Sequence, residues 1–142
     1  MQEVKIDSFT VTGPSVRTNN ALEASDSGKI PLLWAQFYAS RYDASEAIYG
    51  VYSDYESDAS GDFTVTAGTK SEGSNTGLSI RPGVYLSFPA EGEMPAAIIN
   101  AWKAVWDYFS EGRRQTRAYE TDFEQYNGPT SAVIYIGIKS SS

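Results

Sequence analysis

The chain has 142 residues, 18 acidic against 11 basic side chains for a formal net charge of −7, and 13% aromatic content made of ten Tyr, six Phe and three Trp. Neither Cys nor His occurs, which removes disulfides, thiolate or His-based catalysis and nearly all zinc or haem ligation, so neither metal nor cofactor is expected. The length fits one domain covering 1–142, and Lys and Arg are too sparse for a phosphate-binding footprint, so direct nucleic-acid binding is not expected.

Val4, Ile6, Phe9 and Val11 alternate loosely with polar residues as far as Thr12-Gly13-Pro14, which predicts a first strand at 2–12. The polar stretch 15–29 reads as a long loop of the kind used as a lid or binding loop. Asp26-Ser27 then offer capping oxygens, Pro31 suits a first helical turn, and Ile30, Leu33, Trp34, Phe37 and Tyr38 recur at helical spacing. A second strand is predicted at 47–52 and a third carries Phe63, Val65 and Ala67, with a turn at 57–61 between them. After a polar connector at 69–76, a strand at 77–88 is interrupted by a turn or bulge at Arg81-Pro82-Gly83. Pro95 opens a helix whose Ile98, Trp102, Val105, Trp106 and Phe109 read as one apolar stripe ended by Gly112. Strands at 118–126 and 132–139 make a hairpin with Asn127-Gly128-Pro129 at its tip, and Ser140-Ser141-Ser142 carry no signal.

This order repeats itself. Trp34 precedes Glu56 by the interval at which Trp102 precedes Glu124, and at that offset Ser53-Asp54-Tyr55-Glu56 falls on Thr121-Asp122-Phe123-Glu124. Duplication at this length points to two copies of one supersecondary unit. The predicted fold is α+β: two strand-helix-strand-strand units, approximately 1–71 and 72–142, related by pseudo-two-fold symmetry. An antiparallel sheet carries both helices on one face, and between them lies a cleft with Glu56 and Glu124 at equivalent positions.

Glu56, followed by Ser57, Asp58 and Ser60, reads as a solvated turn residue, whereas Glu124 lies between Phe123 and Tyr126 with Arg117 as its only nearby cation in sequence. Core packing is the default role of Trp34, Trp102, Trp106, Phe37 and Tyr38, yet the two equivalent tryptophans should approach the cleft, where an indole face attracts a flat cation. Pairs such as Glu120 with Glu124, or Glu56 with Glu124, could in principle do acid–base work. The N-terminus has no signal-peptide run and no segment approaches the ~18 apolar residues of a membrane span, so the expected location is cytoplasmic, with no membrane partner.

The run 98–139, with Trp102, Trp106, the Asp122-Phe123-Glu124-Gln125-Tyr126 block and the closing strand 133–138, resembles the gyrase-inhibitor-like effector-binding domain. The N-terminal half, with Gly13, Arg17-Thr18, Asn20, Lys29-Ile30-Pro31 and Leu33-Trp34-Ala35-Gln36-Phe37, is similar to the stand-alone branch of that family, which includes a cationic-drug-binding protein encoded on a mobile integron gene cassette. The resemblance implies the duplicated fold, cationic amphipathic ligands, and a buried counter-charge, a role that carries over to Glu124 alone. Trp34, Tyr38, Trp102, Trp106 and Tyr126 are the expected aromatic partners. Since the domain is expected to fill the chain from its first strand, no DNA-binding helix-turn-helix is expected here, and a transcription regulator would be a partner in trans; a homodimer stays open. Two rival readings remain: a small-molecule hydrolase using Glu124 with Glu120 or Tyr126, and a protein-interaction module acting on a topoisomerase or regulator.

Overall fold

The computed structural model describes residues 2–23, 28–39, 47–56, 61–71, 77–94, 96–110, 117–128 and 130–139. The expected Asp26-Ser27 cap, most of the turn at 57–61, part of the connector at 69–76, Pro95, Gly112, Pro129 and the serine tail lie outside the described residues. In chain order come β1 (Gln2–Ile6), β2 (Phe9–Thr12), β3 (Ser15–Thr18), α1 (Asn20–Glu23), α2 (Ile30–Ala39), β4 (Ile48–Ser53) and β5 (Phe63–Ser71). The second half supplies β6 (Leu78–Ile80), β7 (Gly83–Glu91), α3 (Ala96–Ser110), β8 (Arg117–Gly128) and β9 (Ser131–Ile138).

All strands join one antiparallel sheet in the order β1-β7-β9-β8-β4-β5-β2-β6, with β3 added on β5. β1 stands at one end of that path and β2 near the other, yet only Asp7 and Ser8 separate them in the chain. The sheet must therefore curl until its ends approach, giving a half-barrel. This curl also corrects the expected single strand at 2–12: Ile6 pairs with Gly83 and Phe9 with Ile80, and the chain turns a corner between them. The interruption expected at Arg81-Pro82-Gly83 is the matching corner between β6 and β7.

The expected loop at 15–29 contains β3 and α1. Its polar residues hide the strand from a hydrophobicity reading, because β3 is held by backbone pairing to β5 and by the Ser15–Thr66 hydroxyl contact at 2.7 Å. Gly13 makes the approach possible, since a Cβ there would lie 1.9 Å from the Ala67 carbonyl oxygen. Glu23, at the end of α1, accepts hydrogen bonds from the backbone N–H of Lys29 (2.9 Å) and Ile30 (3.1 Å), so this carboxylate caps the start of α2.

Three apolar clusters follow from period-two alternation in the strands. Leu33 and Phe37 of α2 pack on Ile48, Phe63, Val65 and Ala67; Ile98, Ala101 and Val105 of α3 pack on Leu86, Phe88, Ile134 and Ile136. The opposite face is filled by Val11, Tyr49, Val51, Ile80, Tyr85 and Phe123. The two long helices thus sit on one face of the sheet, α2 against β5 and β3 and α3 against β7 and β9, with β4 and β8 between them.

Candidate ligand site

β8 builds the site by alternation. Phe123 turns to the face away from the helices, where it contacts Tyr49, Tyr85 and Tyr135, which leaves Asp122, Glu124 and Tyr126 toward the helices. Directly across from Glu124 on β4 is Gly50. A Cβ at Gly50 would stand 2.9 Å from Glu124 Oε1 and 3.0 Å from Trp34 Cζ2. The missing side chain is therefore the space into which both the carboxylate and the Trp34 ring fit.

Glu124 is only 3% exposed. Its Oε2 accepts hydrogen bonds from the Tyr52 hydroxyl (2.9 Å) and Trp102 Nε1 (2.6 Å), and its Oε1 from the Tyr126 hydroxyl (2.8 Å). All three donors are neutral, and among the described residues no Lys or Arg forms an ion pair with it. Burial pushes the Glu124 carboxyl above the ordinary carboxylate range, while the three hydrogen bonds pull the other way. Burial and then the Glu124 charge push the Tyr52 phenol well up, so Tyr52 remains a donor.

In front of this cluster opens a cavity of roughly 700 Å³, a size suited to a drug-like molecule. Tyr52, Tyr55, Phe63, Trp102 and Trp106 supply its aromatic wall, Ile30 and Ile99 its aliphatic one, and Asn20, Glu23 and Arg117 its polar edge. Glu124 itself lies one layer behind, covered by the Tyr52 and Trp102 rings that hold it. Helix α3 provides two stripes at the same spacing: Ile98, Ala101 and Val105 face the core, while Ile99, Trp102 and Trp106 face the cavity. The expected single stripe is thus two, because an apolar arc this wide covers both core and cavity.

Two residues before Glu124 lies a second buried carboxylate. Asp122 accepts from Arg117 Nη2 (2.7 Å), the Tyr55 hydroxyl and the Gly137 N–H (2.8 Å). Arg117 and Asp122 are an odd number of residues apart and would face opposite sides of a regular strand. A register shift in β8 between them, with Tyr119 at φ 54°, brings them together.

The sequence-derived residues therefore separate. Glu124, Trp102 and Tyr126 meet directly; Trp34 touches Tyr126 edge to face at 5.6 Å; Trp106 is 49% exposed beside Trp102, at 6.3 Å. Tyr38 lies on α2, and its side chain is outside the described residues. Glu120 is exposed, 3.4 Å from Arg81 and away from Glu124's partners. Glu56 is not the counterpart of Glu124: β4 ends at Ser53, Asp54 takes φ 51° and turns the chain out of the sheet, and Glu56 is exposed on the bend that follows. Tyr52, Tyr55, Phe63, Asp122 and Ile99 were missed by the sequence reading. A signal for Tyr52 existed, since Gly50 between Ile48 and Tyr52 in a strand marks a close approach.

A half-barrel of this kind, with two helices flanking an aromatic cavity backed by a buried glutamate, defines an effector-binding class of protein. Residues 4–138 match the integron-associated effector binding protein family. The chain is 36% identical to an integron cassette protein from the mobile metagenome of Vibrio cholerae, covering 97% of this chain and 95% of that one with a TM-score of 0.90. It is similar in fold to SAV2435 solved bound to tetraphenylphosphonium (19% identity, TM-score 0.75, 98% and 93% covered). In sequence it is 27% identical to the putative transcriptional regulator protein YobU of Bacillus subtilis (strain 168), over 94% of each chain. The chain belongs to the integron-associated effector-binding family. No helix among the described residues is long and apolar enough to cross a membrane.

Proposed function

We propose that this protein is a non-enzymatic binder of lipophilic organic cations, with Glu124 as the counter-charge and the Tyr52 and Trp102 rings as the surface on which the cation lies. The observation that carries this reading is the Glu124 cluster: a carboxylate buried behind an aromatic cavity and held, among the described residues, only by neutral donors. Such a charge keeps its desolvation cost until a cation arrives. Hydrogen bonding to the carboxylate also makes the Tyr52 and Trp102 rings richer in electrons and better cation–π partners. Selectivity is then broad, because aromatic walls and one charge impose no hydrogen-bond pattern on the ligand. The phosphonium cation bound by the fold relative SAV2435 supports the same ligand class, and the name of the Bacillus relative supports a regulatory setting for the binding.

The test is a tryptophan-fluorescence titration with N-methylacridinium against acridine, in mildly alkaline buffer where acridine is uncharged. The cation should bind more tightly and quench Trp102. Equal affinities would leave an apolar pocket with no part for Glu124.

A further inference from the structure

The cavity is not electrically uniform along its length. Ring contacts run from Trp106 to Trp102 (6.3 Å), Tyr52 (5.2 Å), Phe63 (5.8 Å) and Tyr55 (5.9 Å). Beyond Tyr55 comes Tyr119 at 5.6 Å, with the Arg117 guanidinium 4.4 Å over its ring. Glu124 lies behind the Tyr52–Trp102 end, and Arg117 lines the cavity at the other. Asp122, which holds Arg117, and Glu124 are two residues apart on one strand, so their backbones are about 7 Å apart.

Arg117 is 93% buried, and its bond to Asp122 uses Nη2 alone. Its Nε is buried with no hydrogen-bond partner among the described residues. A guanidinium presents its N–H groups as a planar fork that matches a carboxylate, and a buried donor without a partner is a standing cost that an incoming acceptor removes. The competing acid on the wall, Glu23, is already engaged: it accepts from the Thr18 hydroxyl and from the Lys29 and Ile30 N–H groups at the start of α2. The two ends of the aromatic wall therefore differ: behind one lies a carboxylate with no cation among the described residues, and the other is lined by an ion-paired guanidinium whose Nε has no acceptor among them.

We infer that Arg117 forms a second subsite, which takes the carboxylate of a ligand whose cationic ring system lies over Tyr52 and Trp102, so that the preferred ligands are amphoteric. This rests on the cation-binding reading above for the other end of the cavity. It adds a constraint which that reading lacks, namely a direction for the ligand along the wall.

The experiment compares rhodamine B, a xanthylium cation bearing a free benzoate, with its methyl ester, by fluorescence polarisation on the full chain. The acid should bind about tenfold more tightly than the ester, the usual gain from hydrogen bonds to a charged group, and Arg117→Gln should bring the ratio to about one. Since that change strands Asp122, the double variant Arg117→Gln/Asp122→Asn, which replaces the ion pair by two amides, serves as the folded comparison and should also lose the preference. Ester binding as tight as acid binding in the parent, or an acid preference surviving in either variant, overturns the Arg117 subsite while leaving cation binding intact. Failure of both dyes to bind overturns both readings together.

Discussion

Asp122 and Glu124 are neighbours on one face of β8 and almost equally hidden, at 0% and 3% exposure, yet their surroundings are opposites. Asp122 has a guanidinium at 2.7 Å together with a phenol and a backbone N–H; Glu124 has two phenols and an indole. The first is a completed ion pair, which ties the bulge of β8 to β9 through the Gly137 N–H and to the chain after β4 through Tyr55. The second has no cation among the described residues and lies behind the rings that line a cavity. Burial alone does not mark a site; a buried charge with no opposite charge among the described residues does.

The sharpest way to break this comparison is to neutralise each acid. Asp122→Asn leaves Arg117 as an uncompensated buried charge and should cost about 3–5 kcal/mol of stability, read as a lower midpoint in urea unfolding. A loss below about 1 kcal/mol would mean that the pair contributes little to the framework.

Glu124→Gln should act on binding instead, lowering cation affinity by about 2–5 kcal/mol. The amide fits the hydrogen bonds: its oxygen at the Oε2 position keeps Tyr52 and Trp102, and its NH₂ at the Oε1 position donates to a rotated Tyr126 hydroxyl. Stability should be unchanged or higher. Because burial raises the folded-state value of Glu124, its favourable contribution is present below the ordinary carboxylate range and is lost as pH rises through the raised value. Parent and variant should therefore be alike in acid, with the variant gaining relative stability above that window. Cation affinity of the parent should rise across the same window as the carboxylate ionises. A variant that lost stability at neutral pH would place Glu124 with Asp122 in the framework.

Gly50→Ala sharpens the comparison through its geometry. The new methyl would stand 2.9 Å from Glu124 Oε1 and 3.0 Å from Trp34, and the carboxylate cannot retreat without leaving its three donors. A stability loss of about 1–3 kcal/mol is expected, with weakened cation binding. The same change at Gly128, where a Cβ meets nothing within 4 Å, should cost less.

The duplicated α+β plan was legible because helix spacing in α2 and α3 and alternation in β4, β5, β8 and β9 are long enough to register. β3 was not, since it is four residues of mostly polar sequence held by backbone bonds to β5. Nor was the curl, which depends on which strands the two corners at Asp7-Ser8 and Arg81-Pro82 reach. Glu124 stood out by its aromatic neighbours, but its donors Tyr52 and Trp102 come from β4 and α3, and one of them looked like core. Asp122 was hidden for another reason: its link to Arg117 needs a bulge, and period-two reasoning places the two on opposite faces.

The smallest expected effect tests the misleading part of the repeat. The alignment of Glu56 with Glu124 matched four residues of similar type, and side-chain type alone does not say where a strand stops. Asp54, with φ 51°, ends β4 and leaves Glu56 exposed, joined to the fold by its backbone N–H to the Asp62 carbonyl at 2.8 Å. That bond survives any side-chain change. Glu56→Gln should therefore alter neither stability nor cation affinity by more than about 0.5 kcal/mol, as for surface substitutions generally, in thermal unfolding and in the acridinium titration. If Glu56→Gln weakened cation binding as much as Glu124→Gln, the two acids would have to share the ligand, and the contrast between a lone buried charge and a solvated one would fall.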